Sequence, residues 1–258
     1  MRLTISVAFV LALASAPLAA QPAPTPAPAP VTISAAVAAP DRDPDNVKLD
    51  EGRKPAEVLA FLGLKPGMNV LDLFGANAYW AEIMAPVVGP KGHDTVWQPT
   101  QFYGDKSKQS FAAFAAKHPN VSIITSPFEA PAFAKNSADF VILNDNYHDV
   151  YWQNPKLNIP QMDPNAFVKA IYDAMKPGAV IGVIDHIANP NDDTRATVEK
   201  LHRIDPAVVK ADFERAGFVF EGSSDLLRNP TDDHSLLVFD PKVRGKTDKF
   251  VFKFKKPL

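Results

Sequence analysis

From Arg53 onward the chain alternates between short apolar runs and longer stretches in which apolar residues recur every three or four positions. Val70 to Phe74, Val121 to Thr125, Ala138 to Leu143 and Ala179 to Ile184 are compact runs rich in strand formers. Thr95 to Trp97 is a weaker run, and Phe218 to Phe220 and Phe250 to Phe254 are late ones. Helical spacing marks Arg53 to Leu64, Tyr79 to Val88, Phe102 to Lys117, Asn165 to Met175 and Ala207 to Ala216. The first of these carries Val58, Leu59 and Leu62 on one side, and the third carries Phe111, Phe114 and Ala115. Pro66-Gly67, Gly89-Pro90, Pro177-Gly178 and Gly217 punctuate the series. This alternation predicts an α/β fold, a seven-stranded, mostly parallel sheet with a final antiparallel strand and helices on both faces. The stretch from Asn189 to Gly245 predicts irregular cover over one sheet edge around its Asn229 to Asp233 segment.

The N-terminal region has a different texture. Arg2, the apolar Leu3 to Ala16 and the small-residue Pro17 to Ala20 form the three parts of a removable signal peptide. The apolar part is too short to span a bilayer comfortably. Residues 21 to 40 hold six prolines and predict an extended, flexible linker. The remainder, residues 41 to 258, is one domain's worth of chain. A periplasmic or secreted protein, with no stable membrane span after cleavage, is the expectation.

The chain has no cysteine, which excludes disulfides, thiolate metal ligands and cysteine nucleophiles. Its formal net charge of -2 gives no broad attraction to nucleic acid. The lysines from Lys249 to Lys256 alternate with Phe250, Phe252 and Phe254, the pattern of a strand with one wet face.

In sheets of this kind ligands sit beyond the carboxyl ends of the strands, near the point where strand order reverses. After the first strand, Gly75 with Ala76 and Ala78 makes an open turn, and Asp72 could orient it or reach a ligand ammonium. The same residues also suit an ordinary strand-to-helix turn. Trp97 could stack on a ring or simply hold the sheet against its helices, and Gln98 follows it with no carboxylate nearby. Asn144-Asp145-Asn146-Tyr147-His148-Asp149 is the densest polar segment in the chain. His148 is the general-base candidate, with Asp149 or Asp145 to orient it, and Tyr147 or Asn146 to position an acceptor. Asx turns in a solvated loop are the plainer alternative. Asp185-His186 and His202-Arg203-Ile204-Asp205 follow later. His148, Asp149, Asp185, His186, His202 and Asp205 could compose a nitrogen and oxygen metal site. No compact spacing such as HExxH supports one, so no metal is assigned. Arg203 could bind an anionic substrate or pair with Asp205 or Asp185. His93, His118 and His234 read as surface residues.

Several of these segments together resemble a family. They are Arg53-Lys54-Pro55, Leu64-Lys65-Pro66-Gly67-Met68, Val70-Leu71-Asp72-Leu73 and Asn146-Tyr147-His148-Asp149. Lys176-Pro177-Gly178-Ala179, Asp185-His186, His202-Arg203-Ile204-Asp205, Ala216-Gly217-Phe218 and Arg244-Gly245-Lys246-Thr247-Asp248 complete the set. The chain is similar to exported class I S-adenosylmethionine-dependent methyltransferases of Gram-negative bacteria over most of residues 41 to 257. The resemblance implies a Rossmann-like class I methyltransferase fold and S-adenosylmethionine as cofactor. It implies Asp72, Gly75, Asn77, Gln98, Phe128 and Asn144 as cofactor-binding residues. Phe128 or Glu129 falls on the adenine side, and Asn144 and Asn146 border the transferred methyl. Asn77 stands where relatives are glycine-rich, and Gln98 where a ribose-binding acid is usual. The function expected is therefore methyl transfer to an unknown acceptor, with a degenerate cofactor site. An exported binding or structural module that keeps only the fold is the alternative, and a metal-dependent hydrolase a minor one.

Overall fold

The computed structural model describes residues 29–75, 77–190 and 192–258. Seven strands form one sheet: β1 (Asn69–Leu73), β2 (His93–Pro99), β3 (Val121–Ser126), β4 (Ala138–Asn144), β5 (Met175–His186), β6 (Val219–Ser224) and β7 (Lys249–Lys255). Their order is β3-β2-β1-β4-β5-β7-β6. β1 to β5 run parallel, and β7 is antiparallel to both β5 and β6. The central strands read as near-continuous apolar runs because both faces are covered, as parallel sheets require. Leu71 and Leu73 face one core, with Val141, Leu143 and Phe254, while Val70 faces the other, with Ile142 and Val251. Strand order reverses between β1 and β4, which opens a crevice at their carboxyl ends.

Nine α-helices occur among the described residues. α4 (Pro55–Leu62) and α5 (Tyr79–Val88) pack on the face of Val70. α7 (Pro164–Ala174) and α9 (Pro206–Arg215) pack on the opposite face through Phe167, Ile171 and Phe213. α6 (Asp105–Lys117) covers β2 and β3 through Phe111. α8 (Thr194–Leu201) packs on the turn that follows β4. Three short helices, α1 (Ile33–Val37), α2 (Pro44–Val47) and α3 (Asp50–Arg53), precede these. None is long and apolar enough to cross a membrane.

Three sequence expectations change. Residues 29 to 40 are not an extended linker. Thr32 caps α1 by accepting from the Ala35 amide, Ala36 is buried, and the Val31 N–H donates to the Pro86 carbonyl. The Ile33-Ser34-Ala35-Ala36-Val37 segment has enough apolar surface to dock on α5. The signal and the earlier linker, residues 1 to 28, lie outside the described residues. Met175 ends no helix but begins β5, because Pro177-Gly178 makes a bulge between the pairs Ala138–Met175 and Phe140–Val180 instead of a break. The three histidines expected on the surface are half-buried, and His93 opens β2. His93 contacts Ser122 Oγ at 2.7 Å, His118 lies on Phe114, and His234 bridges Asn189 and Asp248, each at 2.9 Å.

Candidate functional site

A cavity of about 810 Å³ opens at the carboxyl edge of the sheet. Phe74 and Gln98 line it from the β1 and β2 ends, and Asp145, Asn146, His148 and Asp149 from the β4 end. His186 lines it from the β5 end, and His202 from the C-cap of α8. Lys48 and Arg53 reach it from the segment before β1, and Phe239 and Arg244 from the irregular stretch before β7.

The β4 turn is tightly specified. Asp145 adopts φ +59°, a region most side chains avoid, and its amide donates to the Ile184 carbonyl at 2.8 Å. His148 opens a short 3-10 turn and is nearly fully buried. Its backbone N–H donates to Asp185 Oδ2, and its Nδ1 donates to Asp185 Oδ1, both at 2.8 Å. Asp185, itself fully buried, therefore fixes both the position and the ring of His148. Burial opposes charge on His148, but Asp185 and Asp149 more than offset it and raise its pKa to about 9. At neutral pH the ring thus holds a proton more often than it takes one. His186 goes the other way: burial pushes it down to about 4, and its Nδ1 contacts Thr247 Oγ1 at 2.6 Å. Asp145 lies well below the usual carboxylate range. Burial works against its charge, and Lys249, whose ammonium donates to it at 2.7 Å, overrides that.

Asn146 lines the cavity, and its Nδ2 donates to Asp149 Oδ2 at 3.0 Å. Tyr147 does not line it. Its side chain is buried on the far side of the turn, where its hydroxyl and that of Tyr151 both donate to Asp212 of α9. The acceptor-positioning role expected of Tyr147 is therefore corrected to anchoring the turn on α9. Asp205 is also elsewhere, capping α9 at the Ala207 amide. Arg203 pairs with neither Asp185 nor Asp205; it is fully buried and bonds Asp232 at 2.8 and 3.1 Å.

Of the six residues the resemblance assigns to a cofactor, Gln98 lines this cavity. Asp72 shares the face of Val70, beneath α5, because side chains alternate along β1. Neither of its oxygens makes a hydrogen bond of good geometry, although the Ala81 amide faces it. Burial and the neighbouring Asp94 raise its pKa well above normal. Gly75 is required by packing: a Cβ there would lie 1.9 Å from Val96 Cγ1. Asn77 is exposed and lines a separate cavity beside α1 and α6. Phe128 is fully buried in an aromatic group with Phe74, Trp97 and Phe167. Asn144 is nearly buried at the end of β4, its Oδ1 without a partner.

Sequence reasoning missed Phe74, whose φ of +59° occupies the kind of position glycine usually fills. It also missed Arg53 and Arg244 at the rim and the burial of Asp94; Asp145, named as an orienter of His148, instead meets Lys249. Asp94 stands between His93 and Thr95, outside any apolar run, so the sequence carried no signal for its burial.

No family profile and no curated protein matches the sequence. Solved structures do match the fold. An S-adenosylmethionine-dependent methyltransferase from Aquifex aeolicus is 19% identical, covering 83% of this chain and 93% of its own, with a TM-score of 0.56. One from Mesorhizobium loti is 13% identical, covering 81% and 100%, with a TM-score of 0.57. The cyclase SpnF is 16% identical, covering 80% and 82%, with a TM-score of 0.55. With its seven strands in the order found here, the chain has the Rossmann-like fold of class I methyltransferases.

Proposed function

We propose that the protein is an exported methyltransferase that transfers a methyl group from S-adenosylmethionine to a small acceptor in the cavity at the β1–β4 crevice. One observation carries this reading: the cavity lies where strand order reverses, and it is lined there by Gln98 and by Asp145, whose buried Oδ1 makes no hydrogen bond. Unpaired buried oxygens are costly unless a ligand's donors meet them. The ammonium and ribose hydroxyls of S-adenosylmethionine are donors of that kind, so Asp145 and Gln98 fit it. When bound, the donor supplies an electrophilic methyl on its sulfonium.

The remaining work falls to the chain. Trp152, Phe102 and Phe239 give the cavity apolar walls suited to a planar acceptor body. Asn146 would orient the acceptor, and His148, set by Asp185, offers Nε2 as the site where a proton is held or moved. Holding donor and nucleophile in line is the larger contribution in such a reaction. Fold alone does not fix the reaction, since SpnF is described as a cyclase.

One observation favours a second reading, a fold-retaining module without cofactor. Phe74 and Phe128 pack into one aromatic group at 4.9 Å, filling the space beside the β1 turn and on the adenine side. Calorimetry with S-adenosylmethionine and S-adenosylhomocysteine separates the two. Methyl transfer predicts saturable binding of both. No heat and no thermal shift at about millimolar ligand would leave the module. Export, carried by residues 1 to 20, is tested by fractionation of cells expressing the full chain. Recovery of the uncleaved chain with the cytoplasm would overturn it.

A further inference from the structure

The turn after β4 and the C-cap of α8 bring three ligand-type atoms to one point on the cavity floor. His148 Nε2 lies 3.4 Å from Asp149 Oδ1 and 3.3 Å from His202 Nδ1. His202 Nδ1 lies 3.7 Å from Asp149 Oδ1. Two ligands each about 2.1 Å from one ion, at the tetrahedral angle, stand about 3.4 Å apart. The triangle therefore has the size of one face of a tetrahedral nitrogen and oxygen site. We propose that His148, Asp149 and His202 bind one divalent transition-metal ion, with Zn²⁺ as the best match, and that the fourth position faces the cavity.

Each ligand is oriented by a partner that leaves the metal-facing atom available. His148 gives Nδ1 to Asp185, which fixes the tautomer that presents Nε2 as a ligand. A carboxylate behind a histidine is the usual outer layer of a zinc site. Asp149 receives Asn146 on Oδ2 and turns Oδ1 inward. The His202 ring is held between Trp152 and Phe239, with centroids 5.0 and 5.2 Å away. All three ligands line the cavity, so water or an acceptor oxygen could complete the shell.

A second group, Asp145, Asp185 and His186, also brings ligand atoms close together. It is the weaker candidate. The Asp185 oxygens already accept from the His148 amide, His148 Nδ1 and the His186 amide. His186 uses Nδ1 on Thr247, and Lys249 already supplies a cation to Asp145. In the first group Asp149 meets His148, His202 and Asn146, while Lys249 bonds Asp145 of the second.

The inference does not depend on methyl transfer. An ion here would bind an acceptor oxygen or a water whatever group moves, and it would occupy the Nε2 position otherwise taken by a proton.

The test uses the full chain, expressed without a histidine tag, stripped with chelator and titrated with Zn²⁺, Mn²⁺ and Fe²⁺ by calorimetry and thermal melting. About one equivalent of Zn²⁺ should bind and raise the melting temperature. His202→Ala and Asp149→Asn should each abolish that binding while the metal-free protein still melts cooperatively. Asp185→Asn should weaken it by about 10–100-fold. Less than about one-tenth equivalent of any of the three metals, or unchanged binding in His202→Ala, would overturn the site. Zinc binding without S-adenosylmethionine binding sinks the methyl-transfer reading and leaves this one standing; the opposite pattern does the reverse.

Discussion

The two halves of the sheet's carboxyl edge solve the same problem with different materials. At the β1–β2 end, Phe74, Trp97, Phe128 and Phe167 fill the space with rings, and behind them the carboxylates of Asp72, within β1, and Asp94, at the amino end of β2, are buried without a hydrogen bond of good geometry. At the β4–β5 end, polar groups dominate and most are paired: His148 with Asp185, Asn146 with Asp149, Lys249 with Asp145. The first half stays in shape by packing, so its acids are passengers that ionise poorly. The second half stays in shape through charge-assisted bonds, which are strong only while every member is present. An acid should therefore matter in opposite senses in the two halves.

The largest expected effect comes from the polar half. Arg203 is fully buried and its main charge partner is Asp232. Asp232→Ala would leave a guanidinium uncompensated, at a cost of about 3–5 kcal/mol. Urea unfolding measures it, and a loss under about 1 kcal/mol would mean that the polar half is not held together in this way.

Phe74→Gly is intermediate and probes the aromatic half. Losing the ring costs about 3–5 kcal/mol for a buried aromatic. Glycine returns about 1–2 kcal/mol by relieving the positive φ. The net is a loss of roughly 1–4 kcal/mol, together with tighter S-adenosylmethionine binding as the turn's backbone is uncovered. Weaker binding in the variant would make Phe74 a ligand platform instead of a plug.

The smallest effect is a change of slope. Burial pushes Asp94 up to about 7 and Asp72 well above normal. Between pH 4 and 7 the native state then binds more protons than the unfolded chain, so stability falls as pH rises through that window. Asp94→Asn should flatten the fall and melt higher than the parent at pH 7.5, with little difference at pH 4. A lower melting temperature at both pH values would erase the contrast between the halves.

The fold was legible where burial on both faces wrote itself into composition. Val70 to Phe74, Phe140 to Leu143 and Ala179 to Ile184 are strands because nothing polar could sit there without cost. The exception, Asp72, reads as a ligand contact in sequence, yet it lies under α5. Strand alternation decides its side, and a strand buried on both faces gives no sign of which side matters. The polar turn was legible as a density of Asn, Asp and His, and His148 lines the cavity. Its pairing with Asp185 was not, since residues 37 positions apart meet only through sheet order. Tyr147 was misread because a 3-10 turn points successive side chains in different directions. The short helices from Ile33 to Arg53 went unseen because fragments that short owe their form to docking, not to propensity.

Gly52 and Gly245 stand so close that a Cβ on the first would lie 3.0 Å from the carbonyl of the second. Their neighbours Arg53 and Arg244 line the same cavity, although one precedes the first strand and the other follows the sixth. During synthesis the cavity cannot exist until nearly the whole sheet has been made, so no ligand can help the early strands fold. Once complete, the two segments meet as a clasp. A molecule that grips both arginines would tie the beginning of the domain to its end.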